Sequence, residues 1–142
     1  RWQCALGVLG EMPRLQVRPN TITYSAASSA CARVGRWEFS AALLEEARAR
    51  VARPDAMSYN SVISACAGEG QWEQALATLG DMAHHSVRPG VVTFNTTITA
   101  CEKGAAWQSA LLLLGEMPQR GVEVDEITCS ATISACEKAA RW

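Results

Sequence analysis

The sequence predicts an all-α fold, a right-handed solenoid of antiparallel helix pairs, and three observations carry that expectation. The first is a period of 35 residues that holds without a slip: Pro19, Pro54 and Pro89 share one register, Tyr24, Tyr59 and Phe94 a second, Cys31, Cys66, Cys101 and Cys136 a third. All five tryptophans, Trp2, Trp37, Trp72, Trp107 and Trp142, fall in one more. The second is apolar spacing of helical type inside each period, as in Trp72, Ala75, Leu76, Leu79 and Met82. The third is the punctuation between helices, a Pro-Asp or Pro-Asn turn before one helix and a glycine before the next, as at Pro54-Asp55 and Gly70. A unit that repeats in this way buries its apolar face on its neighbours, and at least about three units are needed for stability.

In chain order, residues 1–20 are the second helix (helix B) of a partial unit, with Trp2, Ala5, Leu6, Leu9 and Met12 as its stripe and Pro13 as its end. Asn20 is then placed to cap the next helix. The first whole unit is 21–55: helix A over about Thr21–Arg33, a stop near Gly35, and helix B from Trp37 to about Arg50. Ser28 stands where Ile63, Ile98 and Ile133 stand elsewhere, and Ala47 where Met12, Met82 and Met117 stand, so this unit is expected to be locally soft. The second unit, 56–90, is the most regular, but it closes on Gly90 where the other turns carry Asn20, Asp55 and Asp125. The third, 91–125, has Trp107, Ala110, Leu111, Leu114 and Met117 as its helix B stripe and has lost the turn proline at Val124. Residues 126–142 are a further helix A, a partial unit whose apolar surface is expected to be bare on one side. Opening and closing in the same Arg-Trp register, the chain reads as a segment of a longer array.

Composition limits the chemistry. The formal net charge of −1 supplies no global basic field, which counts against promiscuous nucleic-acid binding. No apolar run is long enough to cross a membrane. The six cysteines contain no C-x-x-C pair. Helices stacked about 8–10 Å apart would hold Cys31, Cys66, Cys101 and Cys136 beyond the ~7 Å that a disulfide spans, so these four are expected buried, reduced and mutually distant. His84 and His85 are the only histidines. They point in different directions from one helix end, so they favour a surface over a metal site, and no serine or cysteine triad can be assembled from them. No cofactor and no metal is expected, and catalysis, if the parent protein performs any, is expected outside this segment.

The residue order now carries a resemblance. Pro-Asp, a short apolar residue, Ser/Thr-Tyr-Asn-x-x-Ile-x-x-Cys, a glycine turn and a Trp-x-x-Ala-Leu-x-x-Leu-x-x-Met helix at this period resemble the pentatricopeptide repeat family over the whole chain. Tetratricopeptide repeats run to about 34 residues with tryptophan and proline in another order. The resemblance implies binding of single-stranded RNA, one nucleotide per unit, in mitochondria or chloroplasts, for editing, splicing, processing or stabilisation. It also implies roles by position. The fifth residue of helix A and the last residue of the unit read the base: Ser25 with Asp55, Asn60 with Gly90, Asn95 with Asp125, then Ser130, with Asn20 closing the partial unit in front. The second residues, Ile22, Met57, Val92 and Ile127, hold bases between them. The thirteenth, Arg33, Lys103 and Lys138, lie near phosphates, with Gly68 the exception. Asn95 with Asp125 goes with uracil in that family, and Ser25 with Asp55 leans to guanine.

Plain structural readings stand beside these. Asp or Asn before a helix is a cap, apolar second residues are core, and a basic residue in a last turn complements the helix dipole. The fifth positions tilt the balance, because Ser25, Asn60, Asn95 and Ser130 keep a small polar group at one register, the first three next to an aromatic residue, and an Asn amide offers a base both donor and acceptor. The alternative from another class is a peptide-binding scaffold of tetratricopeptide type. Protein partners through the rest of an array are compatible with either.

Overall fold

The computed structural model describes residues 1–50 and 53–140, so the fifth tryptophan of the register, Trp142, lies outside the described residues. Eight α-helices follow in order, with no strand among the described residues: α1 (Trp2–Glu11), α2 (Thr21–Ala32), α3 (Trp37–Ala49), α4 (Ala56–Gly68), α5 (Trp72–His84), α6 (Val91–Lys103), α7 (Trp107–Gln119) and α8 (Glu126–Ala140). The even-numbered helices are the A helices and the odd-numbered ones the B helices of the sequence pattern.

Local chemistry sets the ends. Asn20 and Asp55 take extended backbone and accept the amides of Thr23 and Ser58 at 2.9 and 3.0 Å, and Asp125 does the same for Thr128 at 2.9 Å, satisfying a donor that the first turn leaves open. At the other end of α2, α4 and α6 the chain reverses through a left-handed residue, Gly35, Gly70 or Ala105, and the next amide returns to the cysteine carbonyl: Arg36 to Cys31, Gln71 to Cys66, Ala106 to Cys101, at 3.0, 2.9 and 2.8 Å. Glycine takes that conformation freely, whereas Ala105 takes it against its own Cβ. Pro118 runs on inside the last turn of α7, while α1 stops before Pro13, so a proline in this register does not by itself end the helix.

The packing is two-layered and asymmetric. Each A helix packs closely on the next, α2 on α4, α4 on α6 and α6 on α8, whereas the B helices pack on the A helices beside them and meet one another through long side chains, as Trp2 does Phe39 and Arg48 does Asp81. The A layer is therefore the tighter one and curves inward, which makes a helical solenoid whose inner face belongs to α2, α4, α6 and α8. Between the layers Tyr59, Ile63, Cys66, Met82, Phe94, Ile98, Cys101 and Met117 are wholly buried in one continuous cluster. A second, separate cluster, Leu9, Tyr24, Ala27, Cys31, Leu43 and Ala47, serves the first unit. The break lies at Ser28, whose buried hydroxyl has no partner among the described residues.

Two sequence expectations need correction, and a third gains a detail. Cys31, Cys66 and Cys101 are buried free thiols, but Cys136 is only half-buried, and Ile133 beside it is 67% exposed, because no helix is described on the far side of α8. In α7 the buried leucine is Leu113, in register with Leu43 and Thr78, while Leu114 is half-buried and Leu111 is exposed. Gly90 lacks a side-chain acceptor, yet its turn is closed in reverse, its amide donating to Thr93 Oγ1 at 3.3 Å. Burial pushes the Cys66 and Cys101 thiols up to about 11, so they sit in the core as small hydrophobes. No helix among the described residues is long and apolar enough to cross a membrane.

Candidate nucleic-acid interface

The second residues of the A helices settle one question at once. Ile22, Met57, Val92 and Ile127 are 77, 62, 65 and 64% exposed, so they are not core. Apolar side chains kept in water at one register on the four A helices form a ladder of rungs on the inner layer. Between two rungs, Met57 and Val92, lies an open groove of about 450 Å³, lined also by Asn60, Ser61, Ser64, Thr96 and Arg33.

The fifth residues sit beside those rungs and are tied to the unit that follows. Asn95 donates through Nδ2 to both oxygens of Asp125 at 3.3 Å, and its Oδ1 accepts the hydroxyl of Thr128. Ser25 lies 3.3 Å from Asp55 Oδ1 and 2.7 Å from Ser58 Oγ, and is itself buried. Asn60 accepts Thr93 Oγ1 at 2.6 Å, and opposite it Gly90 offers no side chain. Ser130 is exposed on α8, in a groove with Ile127 and Thr99, and Asn20 is exposed at the head of α2. The last residue of a unit can therefore be both a cap and a neighbour of the fifth position: Asp125 Oδ1 takes the Thr128 amide and hydroxyl while Oδ2 reaches Asn95. Hydrogen bonds from the Thr128 hydroxyl and amide hold the Asp125 carboxyl below the usual carboxylate range, so it is an anionic acceptor at neutral pH.

Sequence reasoning missed the third residues of the A helices, Thr23, Ser58, Thr93 and Thr128. Each hydroxyl meets the cap residue of its own helix, and the last three also reach the fifth residue of the unit before. The signal was present, since a hydroxyl recurs there in every unit.

The basic positions differ among themselves. Arg33 is exposed and lines the groove, and Lys103 is exposed at the end of α6. Lys138 is paired with Glu102 at 2.9 Å, and Ser134 bonds the same carboxylate oxygen at 2.8 Å. Burial works to raise the Glu102 carboxyl, but the hydrogen bonds from Lys138 and Ser134 prevail and hold it below its ordinary value. No cluster of His, Cys, Asp and Glu among the described residues has the makings of a metal site.

Known proteins of this shape can now be set beside the chain. The sequence profile of the PPR repeat family matches residues 54–103 and 89–138. A search of curated proteins returns no match. Among solved structures, the pentatricopeptide repeat protein PPR10 from maize is 29% identical, with a TM-score of 0.81 over 94% of this chain and 19% of its own. PPR10 in complex with an 18-nt psaJ RNA element is 34% identical, with a TM-score of 0.83 over 99% of this chain and 20% of its own, so the chain spans about a fifth of PPR10's length. The PPR domain of Arabidopsis thaliana protein-only RNase P 1 (PRORP1) in complex with tRNA, 12% identical, shares the fold at a TM-score of 0.83 over 99% of this chain and 74% of its own. Period, helix order, profile and superposition agree, and the chain belongs to the pentatricopeptide repeat (PPR) family.

Proposed function

We propose that this chain binds single-stranded RNA along its inner layer, one nucleotide per unit, with unit boundaries at 21–55, 56–90 and 91–125 and partial units at 1–20 and 126–142. The observation that carries the reading is the exposed apolar ladder with a polar amide between rungs: Met57, Val92 and Asn60 line one groove, and Val92 and Ile127 stand on the two helices that the Asn95–Asp125 pair joins. Flat bases gain from apolar faces on both sides, and an amide or carboxylate at their edge supplies the selectivity that stacking lacks. The complex of the similar PPR10 with an RNA element supports the choice of ligand.

In this reading Asn95 with Asp125 takes uracil, and Ser25 with Asp55 leans to guanine. Arg33 and Lys103 lie near phosphates. Lys138 has to exchange its Glu102 partner for a phosphate to do the same. An organellar role in processing, editing or stabilising transcripts, in mitochondria or chloroplasts, belongs to the same proposal and is carried by the family resemblance. The test is anisotropy of a labelled single-stranded RNA titrated with the chain at several salt concentrations. Weak binding that falls steeply with salt is expected. Absence of RNA binding at the lowest salt, or binding that ignores salt, overturns the reading.

A further inference from the structure

Asn60 and Asn95 share a register but not a setting. The Asn95 amide is held at both ends, its nitrogen by the Asp125 carboxylate and its oxygen by the Thr128 hydroxyl. Asn60 has one anchor. Thr93 Oγ1 donates to Asn60 Oδ1 at 2.6 Å and itself accepts the Gly90 amide at 3.3 Å. A hydroxyl that donates must meet the amide oxygen. Nδ2 of Asn60, without a partner among the described residues, is then the end of the amide left for the groove that Asn60 lines. Gly90 adds no acceptor beside it, whereas the third unit has a carboxylate there.

We propose that Thr93, the third residue of the following unit, is the positioning residue that sets the base preference of the second unit, by holding Asn60 so that it presents a donor and no acceptor. A base whose ring nitrogen is an acceptor is then preferred over one whose ring nitrogen carries a proton, since two donors facing each other leave both unpaired. Between the two pyrimidines of near-equal shape, cytosine is preferred to uracil. The third unit, with its Asp125 acceptor, runs the other way. The inference rests on the RNA-binding reading above. Selectivity in the second unit is thereby a property of two units, since the side chain that orients the reader stands 33 residues further on.

The test uses the 142-residue chain at low salt, with short single-stranded RNAs that differ only by C or U at one nucleotide. The nucleotide facing the second unit is the one at which Asn60→Ala changes the ranking. Wild type is expected to favour C there by about tenfold, the worth of one hydrogen bond at the upper end of its usual range. Thr93→Val keeps the shape and removes the hydroxyl, and the preference is expected to fall within about twofold, the low end of the same range. Thr93→Ser is expected to restore it. Discrimination at the nucleotide facing the third unit should be unchanged in all three proteins, which also shows that the variants are folded. A Thr93→Val protein that keeps the C preference, or a wild type that favours U at this nucleotide, overturns the role of Thr93 while leaving RNA binding intact. A chain that binds no RNA overturns the reading beneath it and this inference together.

Discussion

The first and second units are built from one template, and they are held together differently. In the second, Ile63 and Met82 are both wholly buried, and both belong to the cluster that runs through α8. In the first, Ser28 takes the isoleucine's place with an unpartnered buried hydroxyl, Ala47 takes the methionine's, and the surrounding residues form a cluster of their own. Polar contacts partly fill in. Arg48, on the turn after Ala47, bonds the Tyr59 hydroxyl at 3.1 Å and reaches Asp81 at 3.4 Å, binding the first unit to the second through its guanidinium while leaving Nε without a partner. The difference shows where a repeat array keeps its cohesion. The stability of such an array is close to a sum of unit and neighbour terms, so one residue at an interface changes a junction and leaves the next one alone.

The largest expected effect comes from making the second unit resemble the first. Ile63→Ala should cost about 3 kcal/mol, the usual range for a buried isoleucine being ~2–5 kcal/mol, and thermal unfolding followed by circular dichroism measures it. A loss below about 1 kcal/mol, no more than a buried isoleucine-to-valine change commonly costs, would mean that the interface between α4 and α6 has slack that the packing does not show.

Next in size is the converse change in the first unit. Ser28→Ala removes a buried hydroxyl that bonds nothing through its oxygen atom and should stabilise the chain by about 1 kcal/mol. Destabilisation would show that the hydroxyl has a partner, for instance a buried water. Smaller still is the turn of the third unit, where Ala105 holds the left-handed conformation that Gly35 and Gly70 take freely. Ala105→Gly should gain up to about 1 kcal/mol, the cost of that conformation to a residue with a Cβ, and a loss would argue that the alanine methyl packs usefully there.

Thiol chemistry sharpens the same contrast between interior and edge without any mutation. Cys4 and Cys129 are exposed and should be alkylated quickly in the native chain. Cys136 should follow more slowly, and Cys31, Cys66 and Cys101 should react only after unfolding. Mass spectrometry of the time course separates the groups, and early labelling of Cys66 would contradict its burial.

Most of the fold was legible because the information is repeated: the tryptophan register, the cap residues and the turn glycines state each helix end several times over. What escaped is what one unit does to another. Cys136 carries the same residue type and spacing as Cys101, yet burial in a solenoid is conferred by the next unit and not by the helix itself. Leu113 was passed over for Leu114 because Thr78 in its register hides the apolar character of the position, and only packing reveals it. The interface was half legible. Residue types at the second and fifth positions can be read along the chain, but that Asp125 caps its own helix and also bonds Asn95 of the unit before is visible only in the structure. The hydroxyls of Ser58, Thr93 and Thr128 act across units, and no periodicity within a single helix points to them.

The central claim is that each unit presents one amide or hydroxyl, with its neighbouring carboxylate where there is one, to one base. It is tested most directly at Asn95 and Asp125, where the pair is complete. Anisotropy titrations of the wild-type chain and of Asn95→Thr, on short RNAs that differ at a single nucleotide, measure the base ranking at that site. The account predicts a preference for U in wild type that moves towards G in the variant, by about tenfold, within the ~1–3 kcal/mol that one base contact commonly contributes in direct readout, with neighbouring nucleotides unaffected. A ranking that does not move would mean that Asn95 only ties α6 to α8, and that the chain does not read its ligand one base per unit.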